Sequence, residues 1–162
     1  MNLNQFTVKN LTSLRQEISQ LKNLTILDCY LNNLTSLPPE IGQLTNITKL
    51  ICYKNQLTSL PAEINKLVNM TYFNCSDNQL KCLPLEICQL TNLTKLDCSD
   101  NQLTSLPAEI NQLTNLTELN CDNNQLTSLP PEIGQLVNLI SFDYSNNPIE
   151  YINYDKVLKT IS

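Results

Sequence analysis

The chain of 162 residues contains no histidine, no tryptophan and only two glycines. Without histidine, neither a Ser–His–Asp triad nor a Cys–His nucleophile can be assembled from it. The two glycines, Gly42 and Gly134, are too few for a phosphate-binding loop or a dinucleotide-binding glycine fingerprint. The composition therefore argues against the common hydrolase and nucleotide-binding chemistries.

Long apolar runs and an excess of basic residues are also missing. No stretch approaches the roughly 20 apolar residues that a membrane helix requires, and the first ten residues lack the apolar core of a secretory signal. The net charge of −5 argues against non-specific nucleic-acid binding, which depends on a field of Lys and Arg. We therefore expect a cytoplasmic protein without membrane or nucleic-acid partners, with later translocation into a host cell left open. A basic patch is the natural expectation for its partner.

A 23-residue unit repeats along the chain without insertion. Its clearest copy is TNLTKLDCSDNQLTSLPAEINQL at residues 91–113, and the first apolar residues of six copies fall at positions 24, 47, 70, 93, 116 and 139. Such units cannot cover their apolar side alone and become stable only when stacked. The sequence therefore predicts one domain over residues 1–162, with an N-terminal capping repeat at 1–23. The six core repeats cover 24–148, and a C-terminal cap covers 149–162.

Each copy reads L-x-x-L-x-C-x-x-N-x-L followed by x-x-L-P-x-E-I-x-x-L. This pattern resembles the leucine-rich repeat family, and its second half is most similar to the intracellular 23-residue subclass of Ras-binding scaffolds, plant intracellular proteins and bacterial effectors. The resemblance implies an α/β solenoid with a curved parallel sheet on the concave side and short helices on the convex side. It also implies a scaffold, inhibitor or effector-type adaptor that binds another protein, without catalysis, cofactor or metal.

The recurring residues of each copy have predicted structural roles. The period-two alternation around Leu96 and Cys98 predicts a short strand with both side chains inward. Asn101, at the strand exit, has an amide that can satisfy backbone groups within the stack. Pro107 is expected at the first residue of a short helix, and Glu109 in its first turn, where the helix dipole favours an anion.

Cysteine occupies one core position in five consecutive copies, where the thiol serves first as a small apolar residue. These residues are Cys29, Cys52, Cys75, Cys98 and Cys121. One cysteine per turn does not supply the close pairs of a zinc site. Cys82 and Cys88 depart from the pattern, and the sequence leaves their exposure and reactivity open.

The terminal copies are degenerate. Phe6 stands 23 residues before Cys29 and is expected to take the cysteine position of the first turn. After Asn147 the repeat breaks, and Asn153 is a predicted helix N-cap before the helical spacing of Tyr154 to Ile161.

The outward strand positions form the predicted binding surface, because a curved repeat array presents them as one concave face. The early turns are aromatic and apolar and contribute Ile26, Asp28, Tyr30, Leu31, Ile51, Tyr53, Lys54, Tyr72, Asn74 and Asp77. The later turns are acidic and contribute Lys95, Asp97, Asp100, Glu118, Asp122 and Asp143. We expect the three tyrosines to cluster as a binding hot spot, while the acidic flank orients the partner.

Several alternatives stay open beside this monomeric binder. The acidic flank can be a solvated face only. The chain can be a structural element that self-associates through exposed strand edges, or an enzyme subunit. Calcium held by Asp77, Asp100 and Asp122 is a further candidate, although their oxygens come one per turn and no loop wraps the ion.

Overall fold

The structure is a computed structural model that describes residues 5–7, 18 and 21–150. Seven three-residue strands form one sheet in chain order, and each strand is parallel to the next. They are β1 Gln5–Thr7, β2 Ile26–Asp28, β3 Lys49–Ile51, β4 Tyr72–Asn74, β5 Lys95–Asp97, β6 Glu118–Asn120 and β7 Ser141–Asp143. One strand per repeat in sequential order is the predicted solenoid.

The core is a stack of identical layers beneath this sheet. Leu27, Leu50 and Phe73 pair in register at the centre of successive strands, and all three side chains are fully buried. The five patterned cysteines are also fully buried, as predicted, and each thiol donates a hydrogen bond to a carbonyl of the next repeat. The Cys98 thiol, for example, lies 3.2 Å from the Asn120 carbonyl oxygen. The thiols therefore tie neighbouring repeats together as well as filling space.

In the five repeats whose second half the structure describes, that half carries a helix that is 3-10 rather than α. The five helices are Pro39–Gln43, Ala62–Lys66, Leu85–Gln89, Ala108–Gln112 and Pro131–Gln135. In the second of them, the Ile64 amide bonds to the Pro61 carbonyl and the Leu67 amide to the Ile64 carbonyl, both at 3.1 Å. Both hydrogen bonds join residues three positions apart, which is the 3-10 pattern and is typical of helices as short as these five residues.

The recurring proline of the repeat is the N-cap of each helix rather than its first residue, which corrects the predicted position, and only the additional prolines Pro39 and Pro131 begin a helix. Pro61 is the N-cap, with φ −72° and ψ 148°, and its carbonyl accepts the first helical hydrogen bond. An N-cap residue has an extended backbone, which the proline ring allows. Its N–H makes no helical hydrogen bond, so the missing N–H of proline costs nothing at this position. Glu63 lies in the first helical turn, as expected.

The strand-exit asparagines form a buried ladder, as predicted. The Asn101 amide donates to the carbonyl oxygens of Cys98, at 3.2 Å, and Cys75, at 3.1 Å, while its Oδ1 accepts from the Leu80 amide at 2.9 Å. Each asparagine thus joins its own repeat to the preceding one. Among the described residues, no buried side-chain nitrogen or oxygen lacks a hydrogen-bond partner.

A second polar ladder runs along the entry to the strands. The Asn92 amide donates to the Val68 carbonyl at 2.8 Å, and the Thr94 hydroxyl donates to the Thr71 carbonyl at 2.9 Å. The same two bonds recur in the neighbouring repeats. The ladder ends at Ile140, which replaces the threonine and is 80% exposed.

The first strand is displaced from the predicted phase. Phe6 pairs with Leu27, so it takes the central strand position rather than the cysteine position of the first turn. The step between β1 and β2 is therefore two residues shorter than the repeat. The predicted helix after Asn153 lies outside the described residues, and the cap boundaries stay predictions. No helix in the described part of the chain is long and apolar enough to cross a membrane.

Candidate functional site

The outward side chains of the sheet align into four rows, because consecutive strands pair in register. The first row, one residue before the buried strand centre, comprises Ile26, Lys49, Tyr72, Lys95, Glu118 and Ser141. The second, one residue after it, comprises Asp28, Ile51, Asn74, Asp97, Asn120 and Asp143. The third row comprises Tyr30, Tyr53, Ser76, Ser99, Asp122 and Ser145, and the fourth comprises Leu31, Lys54, Asp77, Asp100, Asn123 and Asn146. All sixteen predicted binding residues fall in these rows.

The early turns present an apolar cluster that we call the aromatic patch, comprising Ile26, Tyr30, Leu31, Ile51 and Tyr53. The rings of Tyr30 and Tyr53 are stacked, with centroids 5.1 Å apart and planes 9° from parallel. Leu31 is 61% exposed, so its side chain gains little from burial in the fold. The patch therefore has a rigid aromatic centre and an exposed aliphatic edge.

Tyr72 does not join this stack, although the sequence suggested a cluster of three tyrosines. It lies in the first row, whereas the stacked pair lies in the third. Tyr72 instead borders a shallow groove of about 270 Å³ over β4 to β7, together with Lys95, Asp97, Glu118 and Asp143. The structure thus divides the predicted surface into the aromatic patch and this acidic groove, with Tyr72 at the groove's edge.

Every residue of the fourth row has a left-handed backbone conformation, with φ between 51° and 54°. Asp and Asn tolerate this region, and they fill the last four positions, at Asp77, Asp100, Asn123 and Asn146. Leu31 and Lys54 occupy the first two positions and lack that tolerance. Hydrophobic periodicity does not reveal the sign of φ, so this strain was not predicted from the sequence. The run of Asp and Asn was the available signal for it.

The second row contains a local turn that explains most of its polar residues. Oδ1 of Asp97 accepts hydrogen bonds from the Ser99 amide at 3.1 Å and the Ser99 hydroxyl at 2.8 Å. Asp28, Asn74, Asn120 and Asp143 accept the equivalent amide bond in their own turns. Ile51 has no acceptor and is the exception. Asp28, Asn74, Asp97 and Asp143 therefore have a structural role that the sequence did not assign to them.

The carboxylates of the later turns are held by polar neighbours. Asp100 accepts from the Asn123 amide, and Asp122 accepts from the Asn146 amide at 2.8 Å. The Glu118 carboxylate lies 2.6 Å from the Lys95 ammonium. Hydrogen bonds from Ser145 lower the pKa of Asp143. The groups with a described side chain include no cluster of three ligands suited to a metal ion.

The cysteines divide into one exposed thiol and six buried ones. Cys82 is exposed, whereas Cys88 is fully buried on its helix, which settles the exposure that the sequence left open. Burial, with a smaller contribution from Glu109, raises the pKa of Cys88 to about 12. Burial likewise raises the pKa of Cys29 and of Cys121 to about 12. These buried thiols are therefore protonated at neutral pH and are not nucleophiles.

Comparisons with known proteins agree with this architecture. A family model described as a leucine-rich repeat region matches residues 60–150, and another, described as a leucine rich repeat, matches residues 23–44. No curated protein sequence matches the chain.

Solved structures with the same fold come from bacteria and plants. A leucine-rich repeat protein of Leptospira interrogans is 37% identical, with a TM-score of 0.70 over 91% of this chain and 44% of its own. An internalin of Listeria monocytogenes is 24% identical, with a TM-score of 0.82 over 98% of this chain and 45% of its own. A plant peptide hormone receptor in complex with RGF2 is 27% identical, with a TM-score of 0.78 over 91% of this chain and 24% of its own. The chain spans less than half the length of each of these proteins.

Proposed function

Because the chain belongs to the leucine-rich repeat family, we propose that it is a non-catalytic module that binds another protein through its concave face. The fold commonly mediates protein–protein interaction, and the family is typically non-enzymatic. The plant receptor whose solved complex contains RGF2 is a precedent for binding a partner on this fold. Acting as a scaffold, inhibitor or effector-type adaptor is the general role that such a module fills.

The aromatic patch is the anchoring surface in this proposal, and the stacked pair of Tyr30 and Tyr53 is the observation that carries it. Each ring limits the rotation of the other, so little side-chain freedom is lost when a partner covers them. Aromatic side chains beside aliphatic ones are the usual composition of a binding hot spot.

The strained residues beside the stack support the same assignment. Leu31 and Lys54 keep a left-handed backbone that costs of order 1–2 kcal/mol each, and Leu31 does so with an exposed side chain. The fold does not need these residues, since Asp or Asn serves in the other turns. A contact made outside the fold, with a partner, explains why they are present.

The experiment is a quantitative pull-down from cell lysate with two matched leucine variants. Leu31, on the concave face, is 61% exposed, and Leu85, on a convex helix, is 57% exposed, so truncating either removes a similar exposed side chain. A partner should be retained by the intact chain and by Leu85→Ala. It should be lost with Leu31→Ala and with the double variant Tyr30→Ala, Tyr53→Ala, provided that circular dichroism shows both to be folded. Equal retention by all the variants would remove the patch from the proposal.

We also propose that the module is monomeric and acts in the cytoplasm. Sedimentation velocity at rising protein concentration tests the first statement, because end-to-end association through strand edges would give species that grow with concentration. Fractionation of cells that express the full chain tests the second.

A further inference from the structure

We propose that the partner of the concave face is an extended basic peptide segment that crosses the strands. Its apolar anchor lies on the aromatic patch, and a Lys or Arg further along occupies the acidic groove. This inference rests on the proposed function and specifies the ligand class of the same site.

The dimensions of the face suit a single extended chain. The strands are only three residues long, so the four rows form a narrow strip across the sheet. Along the solenoid, the five spacings from β2 to β7 make the strip roughly 24 Å long, at about 4.8 Å per strand. An extended chain laid along this strip contacts every turn.

Charge sets the direction in which the segment lies. Lys49 and Lys54 flank the aromatic patch and are exposed. The one carboxylate in these two turns of the face, that of Asp28, is half-buried and accepts a hydrogen bond from the Tyr30 amide, so the positive charge prevails there. Beyond the patch, the rows from the β4 turn onward carry six carboxylates and one ammonium, that of Lys95. A basic residue of the partner is therefore repelled from the patch and attracted to the groove, while its apolar anchor has an apolar surface only at the patch.

The groove has acceptor capacity beyond its own structural bonds. Both Ser99 bonds of Asp97 and both Ser145 bonds of Asp143 go to Oδ1, so Oδ2 of each carboxylate receives no hydrogen bond from the described residues. Both residues line the groove beside Glu118. A guanidinium or ammonium group can bond to these oxygens without breaking the turns, and such charge-assisted bonds are stronger than neutral ones.

The strand spacing predicts the separation between anchor and basic residue. Tyr53 follows β3, whereas Asp97, Glu118 and Asp143 lie on β5, β6 and β7. Two to four strand spacings correspond to roughly 10–19 Å. An extended peptide covers this distance with about three to six residues.

The test is a selection from a random twelve-residue peptide display library on the immobilised full chain. Parallel selections use the double variant Tyr30→Ala, Tyr53→Ala, the triple variant Asp97→Asn, Glu118→Gln, Asp143→Asn, and the control Leu85→Ala. The Asn replacements keep the turn acceptor, as Asn74 and Asn120 do natively. Enriched peptides are then synthesised, and their binding is measured by fluorescence anisotropy at low and high salt.

We expect enriched peptides to carry an aromatic or aliphatic residue three to six positions from a Lys or Arg. The tyrosine variant should weaken their binding by about 30-fold and the carboxamide variant by about 10-fold, while Leu85→Ala leaves it unchanged. High salt should weaken binding to the intact chain more than binding to the carboxamide variant.

Each other outcome overturns a defined part of the proposal. Enriched peptides that need the tyrosines but carry no basic residue overturn the basic-segment inference and leave the aromatic patch as a binding site. Basic peptides that bind the tyrosine variant equally well overturn both. A library without any enriched sequence overturns the extended-segment inference, and the pull-down then decides the proposed function by itself.

Discussion

The first two full turns and the last three turns share one framework but differ on the concave face. Beneath both, the same thiol bonds and the same asparagine ladder join neighbouring repeats. On the face, the later turns place Asp or Asn wherever the backbone is left-handed and keep an acceptor at the end of each strand. The early turns break the first rule at Leu31 and Lys54 and the second at Ile51.

This difference separates residues that serve the fold from residues that do not. Neighbouring repeats act as internal controls, because they place different side chains in the same backbone environment. A residue that opposes the preference of its own position lowers stability, so its presence indicates a use outside folding. By this criterion the early turns contain the stronger candidates for partner contact.

The thiol column lies beneath both regions, so its expected effect, which is among the largest, should not distinguish them. Burial raises the pKa of Cys29 and of Cys121 from 9.0 to about 12. The stability that each buried, protonated thiol contributes is therefore fully present below pH 9 and is lost as the pH rises towards 12. At pH 11 each thiol should lower the free energy of unfolding by about 2–3 kcal/mol relative to pH 8.

Denaturant titrations of the parent, Cys29→Ala and Cys121→Ala at the two pH values check this expectation. Every other effect of pH is common to the three proteins and cancels in the comparison. The parent should be more stable than either variant at pH 8, and that advantage should shrink by the same amount for both at pH 11. A change for only one of them would mean that the framework beneath the two regions is not equivalent.

The asparagine ladder offers a second test of that equivalence. Asn55→Ala and Asn101→Ala each remove an amide that serves two buried carbonyls and a buried leucine amide. Leaving such groups without partners should cost about 3 kcal/mol in either variant, as measured by urea unfolding. Asn→Ala at the exposed Asn33 is the control and should change stability by less than about 0.5 kcal/mol. Unequal losses in the ladder would contradict a uniform framework.

Exchanging residues in the left-handed row should sharpen the contrast between the regions. Leu31→Asn should stabilise the fold by about 1 kcal/mol because it relieves the strain, whereas Asp77→Leu should destabilise it by about 1–2 kcal/mol because it introduces strain. Thermal unfolding of both variants measures the two signs. Leu31→Asn should also weaken partner binding, which would show stability and function in opposition. If both variants changed the melting temperature in the same direction, backbone strain would not explain the difference between the two positions.

The turn acceptors should give a smaller effect. Asp97→Ala removes the acceptor of the Ser99 bonds and should cost about 1 kcal/mol. Ile51→Asn supplies the missing acceptor two residues before Tyr53 and should stabilise the fold by about 0.5 kcal/mol. Chemical denaturation resolves both values. A destabilised Ile51→Asn would indicate that the isoleucine packs within the fold, and Ile51 would then leave the aromatic patch.

The sequence predicted those features that depend on periodicity alone. The order of the strands, the inward cysteines and the asparagine ladder all follow from one pattern repeated at constant spacing. Phe6 was misplaced because the first step is two residues shorter, and no pattern at the degenerate end of the chain reveals that shift.

Features that depend on the sign of the backbone φ angle, or on which row of the face a residue occupies, were harder to predict. Tyr72 precedes its buried strand centre, whereas Tyr30 and Tyr53 follow theirs, so consecutive turns do not bring all three together. Cys88 is buried on a helix that packs against the helices of both neighbouring repeats, whereas Cys82 precedes that helix and is exposed. Neither the local turns nor the left-handed row follows a hydrophobic period, so the bonds that Asp97 and Asp143 accept from backbone amides could not be predicted from the pattern.

The smallest expected effect is that of the ion pair between Lys95 and Glu118. The two groups lie 2.6 Å apart, but each side chain is about half exposed, so water screens their attraction. A double-mutant cycle with Lys95→Met and Glu118→Gln should give a coupling of about 0.3 kcal/mol that vanishes in high salt. Glu118→Gln should nevertheless weaken the binding of basic peptides several-fold. A coupling above about 1 kcal/mol would instead mean that Glu118 stabilises the fold, as the turn acceptors do. Glu118 would then no longer count among the groove residues proposed to bind a partner.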